Sequence, residues 1–145
     1  MTNGLTTLQT LTDTTIDSAI GYEKAAESAE SPTLKETLGK QAMQRRKLVD
    51  ELNNEIVRLG GEARESQSFS GSVHHVWTKI STMFGDADAS AAERVEEGED
   101  YIEKKFREAL ENKEFEPRTQ QLLQRAHGEI AEGERLTDAL EAQYD

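Results

Sequence analysis

The sequence predicts an all-α protein: an antiparallel four-helix bundle whose long crossover carries a short fifth helix. Three observations carry this. Apolar residues recur in steps of three and four through four long stretches, the spacing of a helix with one buried face. Pro32 and Pro117 each stand where one such stretch gives way to the next, and proline suits a first helical position because its missing N–H has no partner there anyway. Between the second and third long stretches lie residues 60–89, far more chain than a turn between neighbouring helices needs.

The first helix is expected over residues 5 to about 30, with Leu5, Leu8, Leu11, Ile16, Ala19, Tyr22, Ala26 and Ala29 along one side. Thr12, Asp13, Thr14 and Thr15 are weak helix formers, so packing must hold that turn. Ser31 is placed to cap the next helix and Pro32 to start it. The second helix, 32–59, has the clearest stripe: Leu34, Leu38, Ala42, Arg45, Leu48, Leu52, Ile56 and Leu59. Gly60-Gly61 stops it, with Arg58 in the last turn.

Residues 62–72 turn to Ser, Gln and Gly, with Phe69 as an isolated apolar anchor, and read as a connection. A short amphipathic helix is expected over 73–84, where Val73, Val76, Trp77, Ile80, Met83 and Phe84 fall together. Its place inside the crossover makes it a lid over one end of the bundle. The next long helix is expected over 90–111, opened by Ser90-Ala-Ala-Glu93, the spacing of a capping box. Phe115-Glu116-Pro117 breaks the chain, and the last helix runs from 117 to about 142 through Leu122, Leu123, Ala126, Ile130, Gly133, Leu136 and Leu140. Gly21-Tyr22-Glu23-Lys24 finds a faint echo in Glu99-Asp100-Tyr101 with Lys104. Two hairpins joined by a long crossing give the ferritin-like connectivity rather than simple up-down-up-down. Residues 1–145 make one domain.

Hydrophobic content of 34% and charged content of 32% suit helices that expose most of their circumference. The same composition, with a net charge of -12, also suits a disordered chain, but the regular apolar spacing argues against that. The acidity opposes nucleic-acid and anionic-membrane binding, which need clustered Lys and Arg. With no cysteine, disulfides, thiolate metal sites and thiol catalysis are excluded. No apolar run reaches membrane-spanning length and Met1-Thr-Asn-Gly-Leu5 lacks the form of a signal peptide, so the expected location is the cytoplasm.

Chemistry turns on two charges that break apolar stripes. Glu99 completes the line Ala92, Val95, Ile102, Phe106, and Arg45 sits mid-way along the second helix with Gln41 one turn before it. A di-metal site in such a bundle takes a Glu from each of two helices and a Glu-x-x-His pair from each of the others. His74, His75 and His127 are preceded at that spacing by Gly71, Ser72 and Gln124, so the motif is missing. A carboxylate-rich variant would draw on Glu23, Glu96, Glu99, Glu129, Glu132 and His127. Against it, an unpartnered buried charge costs several kcal/mol whereas a paired one roughly breaks even, which makes two opposite charges at the same level natural neighbours. The expectation is a salt bridge from Arg45 to Glu99, with Glu23 and Tyr22 as candidate extensions, and neither metal nor cofactor. The alternative cofactor is di-iron or di-manganese.

Leu34-Lys-Glu-Thr-Leu38, Arg45-Arg46, Glu51-Leu52, Arg58-Leu-Gly-Gly61, Gly71-Ser-Val-His74 with Trp77, Glu97-Gly-Glu99 and Ala109-Leu110 occur in that order. Their order and spacing, from about Leu8 to Leu140, resemble a bacterial family of small four-helix-bundle proteins of unknown function with a ferritin-like fold. The resemblance implies that fold and a soluble bacterial protein, and it supplies no activity. The functional expectation is a non-enzymatic bundle with a structural, interaction or stress-associated role. Its partners are expected to be proteins, including a second copy in a homodimer. Two rivals remain: a di-metal protein handling iron or oxygen, and a groove for an apolar ligand or partner helix beneath the lid of Val73, Trp77, Ile80 and Phe84.

Overall fold

The computed structural model of the chain describes residues 4–65, 87–112 and 115–144. Four helices account for most of them: α1 (Leu5–Ser28), α2 (Pro32–Arg58), α3 (Ala87–Asn112) and α4 (Pro117–Tyr144). No strand occurs among the described residues. The expected helix over 73–84, with Phe69, His74, His75 and the lid residues Val73, Trp77, Ile80 and Phe84, lies outside them.

Local chemistry sets each end. Gly4 precedes α1 with φ 78°, and a Cβ there would strike the ring of Phe115, so both backbone and packing call for glycine. Ser31 Oγ accepts from Leu34 N at 3.3 Å with Pro32 in the first turn, the cap expected from sequence. Lys35 closes the preceding helix by donating from Nζ to the carbonyls of Ala26 and Glu27 at 2.9 and 3.2 Å. At the end of α2, Gly61 N reaches Ile56 O at 2.9 Å and Gly60 N reaches Val57 O at 3.0 Å. That paired pattern is a Schellman stop, and Gly60 supplies its left-handed residue with φ 94°.

One expected boundary needs correction. α3 is already helical at Ala87, so Ser90 lies inside the helix, buried, and caps nothing. Asp88 occupies the first turn instead, and its carboxylate accepts from the backbone N–H groups of Glu30 and Ser31 at 2.6 to 3.3 Å. The start of α3 is thereby tied to the turn between α1 and α2, at the end of the bundle opposite Leu59.

That tie reveals the topology. α1 packs on α2 and on α3, α3 packs on α4, and the α2–α4 side is the most open. Leu8 and Leu11 near the start of α1 cluster with Ile102 and Phe106 late in α3, and Leu52 and Ile56 late in α2 with Leu123 early in α4. Neighbouring helices are therefore antiparallel. The chain leaves α2 at one end of the bundle and enters α3 at the other, roughly 40 Å away for a helix of this length. A long crossover is the only connection that fits.

The crossover starts by running back along the bundle. Asn53 brackets the backbone of Arg64, donating to its carbonyl at 2.8 Å and accepting from its N–H at 2.7 Å. The Arg64 guanidinium then grips Asp13 with two bonds of 2.9 and 2.8 Å. In α1, Thr12 and Thr15 are buried, and their hydroxyls are satisfied within the helix by donating to the carbonyls of Leu8 and Leu11, one turn back, at 2.8 and 2.7 Å.

The core is in two parts. One apolar cluster gathers Tyr22, Ala25, Leu34, Leu38, Ala92 and Val95, with Leu140 from α4. The other gathers Leu8, Leu11, Leu52, Ile56, Phe106, Leu123 and Ile130. A polar layer separates them.

Candidate functional site

Each helix supplies one or two residues to that layer. Glu99 comes from α3, Arg45 and Gln41 from successive turns of α2, Ser18 and Tyr22 from successive turns of α1, and Gly133 from α4. Arg45 donates from both terminal nitrogens to the two oxygens of Glu99, Nη1 to Oε1 at 2.6 Å and Nη2 to Oε2 at 2.8 Å. This is the fork-on-fork geometry in which guanidinium and carboxylate bind most strongly. Arg45 Nη1 also donates to Ser18 Oγ at 2.9 Å, and that hydroxyl lies 3.5 Å from Glu99 Oε1. The Tyr22 ring faces the guanidinium with its centroid 5.5 Å from Cζ, within reach of a cation–π attraction.

The pair is out of water: Glu99 is 0% exposed and Arg45 4%. Burial alone would lower the Arg45 pKa, but the charge and hydrogen bonds of Glu99 outweigh it and raise it, so the guanidinium stays charged. Burial, then the neighbouring Glu99 charge, push the Tyr22 phenol well above its ordinary value. Tyr22 is therefore a neutral phenol beside a charged pair. Gly133 makes room for all of this, because a Cβ at that position would overlap Glu99 Oε2 and crowd Arg45 Nη2 and Gln41 Nε2 at 3.0 and 3.2 Å. A glycine in the interior of α4 costs up to about 1 kcal/mol of helix propensity, and the width of the polar layer explains it.

Of the residues read from sequence as candidates, the structure brings together Arg45, Glu99 and Tyr22. Glu23 is not among them: it faces outward from α1 and holds Arg46 through two bonds of 2.9 Å. The side chain one residue from Tyr22 points about a quarter-turn away, toward the α1–α2 rim. The alternative metal set is dispersed as well. Glu129 lies near Arg125 at 3.7 Å and Glu132 near Arg135 at 3.8 Å, all exposed. His127 Nε2 meets Glu103 Oε2 at 2.8 Å on the α3–α4 flank. Glu96 sits on the same seam beside Asp138 and Glu141, where burial and then those carboxylates raise its pKa to about 7. Glu134, facing Asp100 and Glu103 one step along, is raised to about 7 by burial, its bond with Asp100 and the surrounding charges.

Ferritin-like connectivity implies a di-iron or di-manganese centre, and the donor set of the central layer does not fit one. Both oxygens of its one carboxylate are taken by Arg45. The remaining groups are a guanidinium, a phenol, an amide and a hydroxyl, a poor set for a dication. Among the described residues no three or more His, Asp or Glu side chains are grouped to hold a metal ion.

Sequence reasoning missed a second buried polar cluster, at the other end of α2. Glu55, 4% exposed, accepts from Arg58 Nε and Nη2 at 2.8 and 2.7 Å and from the hydroxyl of fully buried Thr119. The Arg58 bonds, with help from Thr119, hold the Glu55 carboxyl below its ordinary range. Glu55 fills no gap in an apolar stripe, so hydropathy gave no sign of it. For the central layer the signal existed: Ser18 stands one turn before Tyr22, and Gly133 interrupts the apolar line of α4 at core level.

The family described as "Domain of unknown function (DUF2383)" matches residues 3–112. No curated protein is similar to the chain in sequence. Among solved structures, a Dps1 mutant of Mycobacterium smegmatis superposes with a TM-score of 0.70 at 16% identity, over 94% of this chain and 93% of that one. At that identity the likeness is one of fold, and the fold is ferritin-like.

Proposed function

That this chain belongs to the DUF2383 family of domains of unknown function is the premise from which we propose its role: a non-enzymatic, ferritin-like helical bundle with a structural or interaction function. In this reading the Arg45–Glu99 pair stands where a metal-bearing bundle would hold its metal pair. The observation that carries it is the two-pronged bond from Arg45 to the fully buried Glu99 carboxylate. To bind a dication there, Glu99 would have to release the guanidinium, leaving a buried positive charge without its partner beside a second one. Either change alone costs several kcal/mol in so buried a layer.

The ferritin-like fold by itself assigns no chemistry, so the reading stands on the layer's own groups. The Ser18 hydroxyl accepts from Arg45 and faces a carboxylate whose two oxygens are both bonded to that guanidinium, and the phenol of Tyr22 is held neutral. Elemental analysis of protein purified without chelator, then incubated with Fe(II) or Mn(II) and desalted, tests it. The expected result is no stoichiometric metal. Two irons or manganeses per chain, lost on Glu99→Ala, would overturn the proposal.

A further inference from the structure

The outer face of α2 carries a feature that none of the described residues covers. Met43 is 73% exposed, and with Val57 it makes up the exposed large hydrophobic residues among those described. Beside Met43 runs a groove of about 550 Å3, floored by Ala26, Gly39 and Ala42 and rimmed by Arg46, Lys47 and Asp50. Gly39 lies two turns into α2, in the helix interior, where glycine is a poor helix former. Unlike Gly133, it has no tenant among the described residues: a Cβ there would meet nothing within 4 Å. One turn separates it from Met43, so a knob and a hole lie side by side on one face.

We propose that this face binds a second copy of the same chain, with the two α2 helices antiparallel about a two-fold axis between the levels of residues 41 and 42. In that arrangement Met43 of each copy enters the hole over Gly39 of the partner subunit. A flexible thioether suits an irregular groove, and a two-fold interface needs only one such knob-and-hole pair, used twice. The charges select this register. Glu36 lies three residues before Gly39 and Lys47 four after Met43 on the same outer face, so Glu36 of each copy comes opposite Lys47 of the partner subunit. Among the described residues, the ion pair of Glu36 is an exposed contact with Lys40 at 3.4 Å.

The electrostatics of the whole molecule favour this face too. With a net charge of -12, two copies repel over most approaches. On the α2 face, Lys35, Lys40, Arg46 and Lys47 offset Glu23, Glu36 and Asp50, so the repulsion there is weak. The α3–α4 seam, by contrast, presents Glu96, Asp100, Glu134, Asp138 and Glu141 together.

The test is sedimentation velocity on the full chain from about 1 to about 200 micromolar, the range for a small interface. The wild type is expected to dimerise within it. Glu36→Lys and Lys47→Glu each remove two cross-copy contacts by symmetry and place like charges together, weakening the dimer about tenfold. The double variant E36K/K47E exchanges the charges and is expected to return to within about threefold of wild type. Gly39→Leu fills the hole while improving helix propensity, so it is expected to give a well-folded monomer. A wild type that stays monomeric throughout, a dimer indifferent to the single charge changes, a double variant no better than the singles, or a dimer that survives Gly39→Leu would each overturn the proposal. Metal uptake is read in a separate experiment, so the failure of either idea leaves the other standing.

Discussion

Gly133 of α4 lies so close to Glu99 of α3 that a Cβ at position 133 would overlap the carboxylate oxygen Oε2. The two residues define the polar layer between them: one brings the charge, and the other leaves the space in which Arg45 can reach it. The layer divides the two apolar clusters of the core, and its energetics can be tested.

Removing one member of the pair strands the other. Arg45→Met and Glu99→Leu are each expected to lower unfolding free energy by about 3–5 kcal/mol. The double variant R45M/E99L, with neither charge, is expected to recover most of that loss, and it can exceed the wild type. Urea denaturation of the four proteins gives the coupling directly. Additive losses would mean that the pair does not act as a unit.

Gly133→Ala offers a contrast within one helix. The added methyl must displace a buried, doubly bonded carboxylate, so a loss of about 1–3 kcal/mol is expected despite the better helix propensity of alanine. Gly128, in the same helix, has open space around it. Gly128→Ala is expected to stabilise by up to about 1 kcal/mol. Thermal melts of both variants check the sign of each effect.

The α3–α4 seam sets the pH dependence near neutrality. Glu96 and Glu134 have pKa values of about 7 in the folded protein, above the ordinary carboxylate value of about 4.3 that they regain on unfolding. Between those values the folded state binds more protons than the unfolded one, so stability falls as pH rises through the window and levels off above it. The melting temperature is expected to be about 3–6 °C higher at pH 5.5 than at pH 8, allowing for partial exposure of both groups. Glu134→Gln should flatten that slope; an unchanged slope in Glu96→Gln and Glu134→Gln together would rule out the seam as its source.

Glu55 acts in the opposite sense and at lower pH. Its carboxyl is held below the ordinary range by Arg58 and Thr119, so its contribution is complete above the unfolded value and is lost as pH falls through the folded one. Thr119→Val keeps the volume and removes the hydroxyl, and a loss of about 1–2 kcal/mol at neutral pH is expected. The acid unfolding midpoint of this variant should move upward, as followed by circular dichroism.

Much of the bundle was legible in the chain. Steps of three and four placed α1, α2 and α4 to within two residues, and Ser31-Pro32 and Gly60-Gly61 marked ends that the structure closes with those same residues. The start of α3 was misread because a capping-box spacing at Ser90 is a local pattern. The helix already covers Ala87, and its Asp88 contacts the turn at Glu30 and Ser31, which are distant in sequence.

The division between sequence and tertiary structure is clearest in the layer around Glu99. Periodicity alone determined that Arg45 and Glu99 face inward, because a helix repeats every 3.6 residues whatever surrounds it. Periodicity could not determine which third and fourth groups meet them. Tyr22 and Glu23 are adjacent in the chain, yet one lies under the guanidinium and the other binds Arg46 at the rim. Ser18 and Gly133 stand at core level in the pattern, but periodicity could not reveal that they meet the pair, nor that Glu55 is buried against Thr119. Those depend on the rotation and height of each helix against its neighbours, and packing across the whole bundle decides that.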